Sequence, residues 1–233
     1  MQFSLTNQGL NSMISTSDET ASIIHIWGDI GVGKTTMCYS CALSKLAQGK
    51  KVVYVNTKSP FNSNRFKQIM QNYPPFDEYN FILYNPTTFS QQTEILMNLE
   101  FLILEEINTF HNTSVGLIIL DDASILRHLE LKTKEYNQKI LRVLNTTIAS
   151  LDFIRKTYEI PVLITNRSVI RVINDQNFSQ PASNAIMEYW AKYRIHLERT
   201  TNPVIREVVL EAHPMHSNLP IRIQTQLNNN GFV

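Results

Sequence analysis

Gly28-Asp29-Ile30-Gly31-Val32-Gly33-Lys34-Thr35 satisfies the pattern G-x-x-x-x-G-K-[ST]. Glycines at this spacing let backbone amides turn inward around phosphate oxygens. Lys34 would bring a point charge to the outer phosphates, and the Thr35 hydroxyl would bind magnesium. A helix beginning here adds the positive end of its dipole. With Thr36, these residues form a candidate nucleoside triphosphate site. The alternative, a glycine turn with an incidental lysine, does not explain why the motif follows a β-rich run and opens a helical one. A second candidate is Asp121, at the end of the apolar run "LIIL". That placement suits an acid that positions the metal, and Thr35 and Asp121 are therefore the candidate metal residues. The competing reading is a helix-capping Asp after a core strand. A third feature is "YVNTKSPF", residues 54–61. Many enzymes built on such a loop place a water-activating carboxylate here, and this chain has Lys58.

The elements that must position these residues are legible from patterning. Strands are expected at Ser22–Trp27, Lys51–Asn56, Phe81–Asn85, Val115–Leu120 and Ile160–Asn166. Helices are expected at Thr35–Gln48, Arg65–Gln71 and Thr88–Leu104, the last closed by the polar "NTFHNTS". A long amphipathic helix, Tyr136–Tyr158, should bury Ile140, Leu141, Leu144, Ile148, Leu151 and Ile154 on one face. Residues 167–183 read as a loop and Asn184–Trp190 as a short helix. "YRIHLER", "IREVVLEA" and "IRIQTQL" read as an antiparallel run at one sheet edge. Strands that alternate with helices and lack polar alternation imply an α/β fold, a mostly parallel sheet covered on both faces.

Bulk properties narrow the function classes. The 233 residues suit one α/β domain, and no run is long and apolar enough for a membrane span, so a cytoplasmic protein without membrane contact is expected. With 21 basic and 20 acidic side chains, the chain lacks the basic excess of a strong sequence-blind DNA binder. Cys38 and Cys41 form a CxxC pair inside the helix after the loop, with no second pair to complete a zinc site. They read as helix core. His213 and His216 also lack a third ligand and read as structural.

Several stretches, in order, resemble the RecA/RadA recombinase core, most closely the short archaeal RadB-type recombinase paralogues. They are "LTNQGLNSMI", "GDIGVGKTTMCYSCAL", "GKKVVYVNTKSPFNSNRF", "LIILDDASILRHLE", "VLITNR", "ASNAIMEYWAKYRIHLER" and the closing "VVLEAHP" and "LPIRIQ". The resemblance implies one RecA-like P-loop ATPase core over residues 1–233, without the small helical N-terminal domain of the full recombinases. It also implies ATP and Mg2+ as ligands. The departures matter. In the family pattern "TEG" the glutamate orients the attacking water; here Thr57 matches, but Lys58 and Ser59 follow. In "TNQ" the glutamine senses the terminal phosphate; here Thr165 and Asn166 match, and Arg167 stands third. Asp122 replaces the serine that usually follows the metal-linked Asp. No F-x-x-A self-assembly motif stands near the N-terminus, which argues against filaments.

Lys58, Asp122 and Arg167 are therefore the candidate residues for the chemistry. A lysine beside triphosphate stays protonated and cannot act as the base. It would pair with the terminal phosphate, with Arg167 adding a second cation. Loss of the glutamate predicts weak or absent hydrolysis. The opposing reading makes Asp122 a substitute base, with the cations stabilising the transition state. By resemblance, DNA would meet residues 130–139, with Lys132, Lys134, Tyr136 and Lys139, and residues 167–183, with Arg171. Such binding to single strands should be weak and salt-sensitive; the alternative is ordinary exposed loops. Four functions follow as alternatives. One is an ATP-binding accessory factor for homologous recombination and repair, partnered by the main RadA-type recombinase or another paralogue. The others are an autonomous DNA-stimulated ATPase in strand exchange, a KaiC-like signalling ATPase, and a scaffold that no longer binds nucleotide.

Overall fold

A computed structural model of the chain describes residues 7–9, 11, 22–58, 60–110, 114–173, 175–214 and 216–233. Ser59, most of the opening stretch from Leu5 to Ile14 and residues 111–113 lie outside the described residues. The elements are β1 (Ile23–Gly28), α1 (Lys34–Leu46), β2 (Lys51–Asn56), α2 (Ser63–Met70), β3 (Phe81–Tyr84), α3 (Phe89–Met97) and α4 (Leu99–Phe110). They continue with β4 (Val115–Asp121), α5 (Ile125–Leu129), α6 (Lys134–Tyr158), β5 (Val162–Ile173), β6 (Gln176–Pro181) and α7 (Asn184–Trp190). The last are β7 (Tyr193–Arg199), β8 (Ile205–Ala212), β9 (Ile221–Asn228) and β10 (Gly231–Phe232).

The sheet order is β10-β9-β8-β7-β1-β5-β4-β2-β3, with β6 hydrogen-bonded to β5 alone. Pairs from β3 through β2, β4, β5 and β1 to β7 are parallel. The pairs β7–β8, β8–β9 and β9–β10 are antiparallel. Side chains alternate between the faces of a strand, and here each face meets helices. Ile24, Ile26, Tyr54, Leu117, Ile119 and Leu163 pack with Met37, Cys38, Leu43, Phe66 and Ile69 of α1 and α2. Ile23, Val53, Val55, Ile118, Leu120 and Ile164 pack with Leu96, Ile103, Ile140, Leu144, Ile148 and Met187 from helices on the other side. Two covered faces explain why β1, β2 and β4 read as apolar without alternation. No helix among the described residues is long and apolar enough to cross a membrane.

Four sequence expectations need correction. Residues 167–183 are not a loop: β5 runs on to Ile173, and Ser168 to Ile173 pair antiparallel with Pro181 to Gln176. Asp175 turns the hairpin with φ of 59°, a left-handed conformation that Asp tolerates. The helix expected over residues 88–104 is two helices with Asn98 between them, and the second continues through Asn108 and Thr109 to Phe110. The Asn98 N–H is shared by the Glu94 and Ile95 carbonyls, a tight end to α3. Residues 130–139 are only partly loop, because Thr133 caps α6 by accepting from the Tyr136 N–H. Lys134, Tyr136 and Lys139 therefore sit on the helix. Leu141 is 36% exposed and leaves the buried face that Ile140, Leu144, Ile148, Leu151 and Ile154 share.

Candidate nucleotide-binding site

The carboxyl ends of the central strands bring the candidate residues together. Gly28 ends β1 opposite Arg167 of β5, and Asn56 ends β2 opposite Asp121 of β4. Crevices outside the carboxyl ends of parallel strands are where open α/β sheets bind ligands. A cavity of about 530 Å³ lies here, a size suited to a small-molecule ligand. Lys34, Thr35, Thr36, Lys58, Asp122 and Arg167 line it, with Gly31, Gly33, Tyr39 and Arg65. Its charged walls are four cations against one carboxylate, which favours an anion.

The loop between β1 and α1 is held from behind. Lys34 Nζ donates to the Gly28 and Asp29 carbonyls, each at 2.7 Å. Arg199 donates to the Ile30 carbonyl at 2.6 Å, and Arg206 Nε to the Val32 carbonyl at 3.2 Å. The Ser168 hydroxyl bonds the Asp29 carboxylate. Burial, then the neighbouring Lys58, lowers the Lys34 pKa to about 8. Glycine is required at the first position of the motif. Gly28 has φ of 146°, and a Cβ there would stand 2.3 Å from the Leu197 carbonyl oxygen. Backbone cannot yield as a flexible side chain can. Gly28→Ala is expected to lower stability by about 2 kcal/mol, read as a shift in the urea midpoint at constant m. An unchanged midpoint would show that β7 moves aside freely.

Asp121 is fully buried and central. Its Oδ1 accepts from Lys58 Nζ and from Thr165 Oγ1, each at 2.5 Å. Its Oδ2 accepts from Thr35 Oγ1 at 2.8 Å and from Tyr54 OH at 3.0 Å. Lys58 Nζ also donates to Thr35 Oγ1 at 2.9 Å. Burial alone would raise the Asp121 pKa, but the Lys58 charge and these hydrogen bonds hold it below the ordinary value. Burial opposes the Lys58 charge, and Asp121, then Asp122, outweigh it, so the Lys58 pKa is raised. The ammonium is a stable cation.

Thr35 and Asp121 are thus brought together, but around Lys58. A magnesium ion would need to lie about 2 Å from the Thr35 oxygen, with Asp121 holding it through water. Lys58 Nζ already bridges these two side chains, so the donor set does not fit a divalent ion with this lysine in place. The nucleotide itself does fit: a glycine cradle, Lys34 and a positively lined cavity meet there.

Asp122 lines the cavity with one oxygen committed. Its Oδ1 accepts from the N–H and hydroxyl of Ser124, each at 2.6 Å, and from the Ile125 N–H at 3.1 Å. Asp122, not Asp121, thus holds the turn that leads into α5. Its Oδ2 is buried without a hydrogen-bond partner, and burial raises its pKa. Arg167 is half-buried and reaches both the cavity and a smaller pocket beside Asp29, and its Nε is buried without a partner.

Sequence reasoning gave Tyr54 no role and noted Thr165 only as a motif match. The signal was a hydroxyl within each apolar stretch, "VVYV" and "VLIT", since such a hydroxyl must find a partner when buried. It also missed Arg199, Arg206 and Arg65, whose partners are backbone carbonyls that no side-chain pattern reveals. Of the candidate DNA residues, Lys132, Lys134 and Lys139 are exposed at the start of α6, with Lys132 over the Tyr136 ring at 5.2 Å. Arg171 lies elsewhere, on the hairpin, in a groove with Arg127 and Arg142. Both cysteines are buried free thiols, Cys41 pushed up to about 12 by burial. The His213 and His216 rings are 4.2 Å apart. Among the described residues no cluster of three His, Cys, Asp or Glu side chains could hold a metal ion.

The strand order, the loop after β1 and the acid ending β4 define a RecA-like P-loop core. The sequence matches the Rad51 family over residues 1–215. The DNA repair and recombination protein RadB of Methanococcus maripaludis strain S2 is 32% identical over 226 residues, covering 96% of each chain. RadB of Methanobrevibacter smithii is 30% identical over 211 residues, 89% of this chain and 86% of its own. A crystal structure of the RadB recombinase superposes with a TM-score of 0.72 at 20% identity, covering 99% of this chain and 98% of the other. The chain belongs to the Rad51 family within the RecA/RadA superfamily, and is of the RadB type.

Proposed function

We propose that this protein binds ATP through Gly28–Thr36 and serves as an accessory factor in homologous recombination and DNA repair, with weak or no ATP hydrolysis. The recombination role is supported by relatives whose names are DNA repair and recombination protein RadB. The observation that carries the hydrolysis reading is the Lys58 ammonium, 2.5 Å from Asp121 and 2.9 Å from Thr35. A protonated lysine in the position of the expected glutamate can orient no water by accepting its proton. Lys34 and Arg167 supply positive charge to the phosphates, and the loop amides supply donors.

One observation favours a second reading, a DNA-stimulated ATPase. Asp122 Oδ2 lacks a partner and its pKa is raised, which are properties of a general base. Its other oxygen is tied to the start of α5, so it is held rigidly.

Partners follow the same logic. A RadA-type recombinase or another paralogue is the expected protein partner. Single-stranded DNA would lie across the α6 start, with Lys132, Lys134 and Lys139, and the hairpin groove, with Arg127, Arg142 and Arg171. Near-neutral net charge makes that contact weak and salt-sensitive.

The test is ATP affinity together with single-turnover hydrolysis, with and without single-stranded DNA. Lys34→Ala should weaken ATP binding by about tenfold or more, the loss of one charge-assisted contact. Wild-type turnover should not exceed that of Lys34→Ala. DNA-stimulated turnover that Asp122→Asn abolishes would establish the second reading instead.

A further inference from the structure

We propose that the Lys58 ammonium is a resident cation standing in for a divalent metal, so that this site takes nucleoside triphosphate without magnesium. The inference rests on the nucleotide-binding reading above and concerns how that site is neutralised. Three features of the structure support it.

The first is saturation. Each Asp121 oxygen accepts two hydrogen bonds, from Lys58 and Thr165 on one side and from Thr35 and Tyr54 on the other. The Thr35 hydroxyl both donates to Asp121 and accepts from Lys58. A metal ion at Thr35 and Asp121 would have to displace the Lys58 ammonium from both. Tyr54 and Thr165, both fully buried, fill the remaining acceptor positions of the carboxylate.

The second is that the lysine sits on a fixed platform. The Thr57 N–H donates to the Asp121 carbonyl at 2.9 Å. The Thr57 hydroxyl donates to the Asp122 carbonyl and accepts from the Asp122 N–H, both at 2.7 Å. Asn56 Nδ2 donates to the Lys58 carbonyl and to Asn85 Oδ1, both at 2.8 Å. Thr57 is therefore locked to the end of β4 and the Lys58 carbonyl to Asn56, which aims the Lys58 side chain at Asp121.

The third is position and charge. Lys58 and Lys34 both line the cavity beside Thr35. An ammonium there can donate to phosphate oxygens from the side a metal would occupy. It carries one positive charge where magnesium carries two. Arg65 and Arg167 on the same walls supply further positive charge.

The test measures binding of ATP to the full chain by calorimetry, in EDTA and in magnesium chloride. Expected is a wild-type Kd that differs by less than about threefold between the two. Lys58→Ala, and the longer Lys58→Met, should bind about tenfold or more weakly in EDTA and recover with magnesium. Mn2+ provides a second, spectroscopic readout. Its electron paramagnetic resonance should show no protein-bound ion on wild type with ATP beyond that of ATP alone, and a bound ion on Lys58→Ala. Wild-type binding that needs magnesium, or Mn2+ held by wild type, would overturn the proposal and leave nucleotide binding intact. Absence of ATP binding in both buffers would overturn both readings.

Discussion

Replacing Asp121 with Ala should destabilise the protein by about 4 kcal/mol, one of the largest single-site losses in the chain. The carboxylate is fully buried and accepts from four side chains. Lys58 is 30% exposed at its side chain and can turn toward water once unpaired. Tyr54 and Thr165 cannot, so most of the cost lies in two buried hydroxyls left without an acceptor. Asp121→Asn keeps an acceptor in place and should cost clearly less. The charge component is separable by a double-mutant cycle with Lys58→Met, for which coupling of about 1–3 kcal/mol is expected. The pH dependence carries the same signature. The folded Asp121 pKa lies below its ordinary value, so its contribution is complete above that ordinary value and is lost as pH falls through the depressed one. Urea unfolding of the variants reads all of this. A loss below about 1 kcal/mol in Asp121→Ala would mean that the buried donors find other partners.

How much of this was legible in advance varied with burial. β2 was read at its true ends because a strand buried on both faces is a continuous apolar run with polar punctuation. The phosphate loop was legible because its glycine spacing is demanded by backbone geometry, as Gly28 and Leu197 show. The hairpin of β5 and β6 was not. Ile170 is 73% exposed, and the polar, proline-ended second strand carries no apolar alternation. Its one local signal was Asn174-Asp175 between two extended stretches. Lys58 was legible as a missing glutamate, and its charged state followed from elementary pKa reasoning. Its partner did not. The terminal phosphate was the expected partner, whereas the described structure pairs Lys58 with Asp121, 63 residues along the chain. That contact exists only because β2 and β4 are neighbours in the sheet. The split of roles between Asp121 and Asp122 was similarly hidden. The sequence offers Asp121 both metal positioning and helix capping, whereas the bonds to the start of α5 come from Asp122.

His25 should give the protein a steep acid limb well above the carboxylate range. It stands in β1 on the face shared by Ile23, fully buried, with neither ring nitrogen hydrogen-bonded. Burial, then the nearby Arg194 charge, lowers its pKa to about 3 from 6.5. The folded protein therefore binds fewer protons than the unfolded chain between those values. Stability is full above pH 6.5 and falls as pH drops, until the folded value is reached. Each pH unit is worth about 1.4 kcal/mol, so about 3 kcal/mol should be lost by about pH 4.5. His128 and His196 are shifted in the same direction, so they add to the same limb. The difference between wild type and His25→Leu isolates the His25 part. Leu fills the apolar site without a polar atom to desolvate, and this variant should match or exceed wild-type stability at pH 7. Its urea midpoint should then fall much less between pH 7 and pH 4.5. Parallel loss in both proteins would assign the acid limb to other groups and leave His25 a silent member of the core.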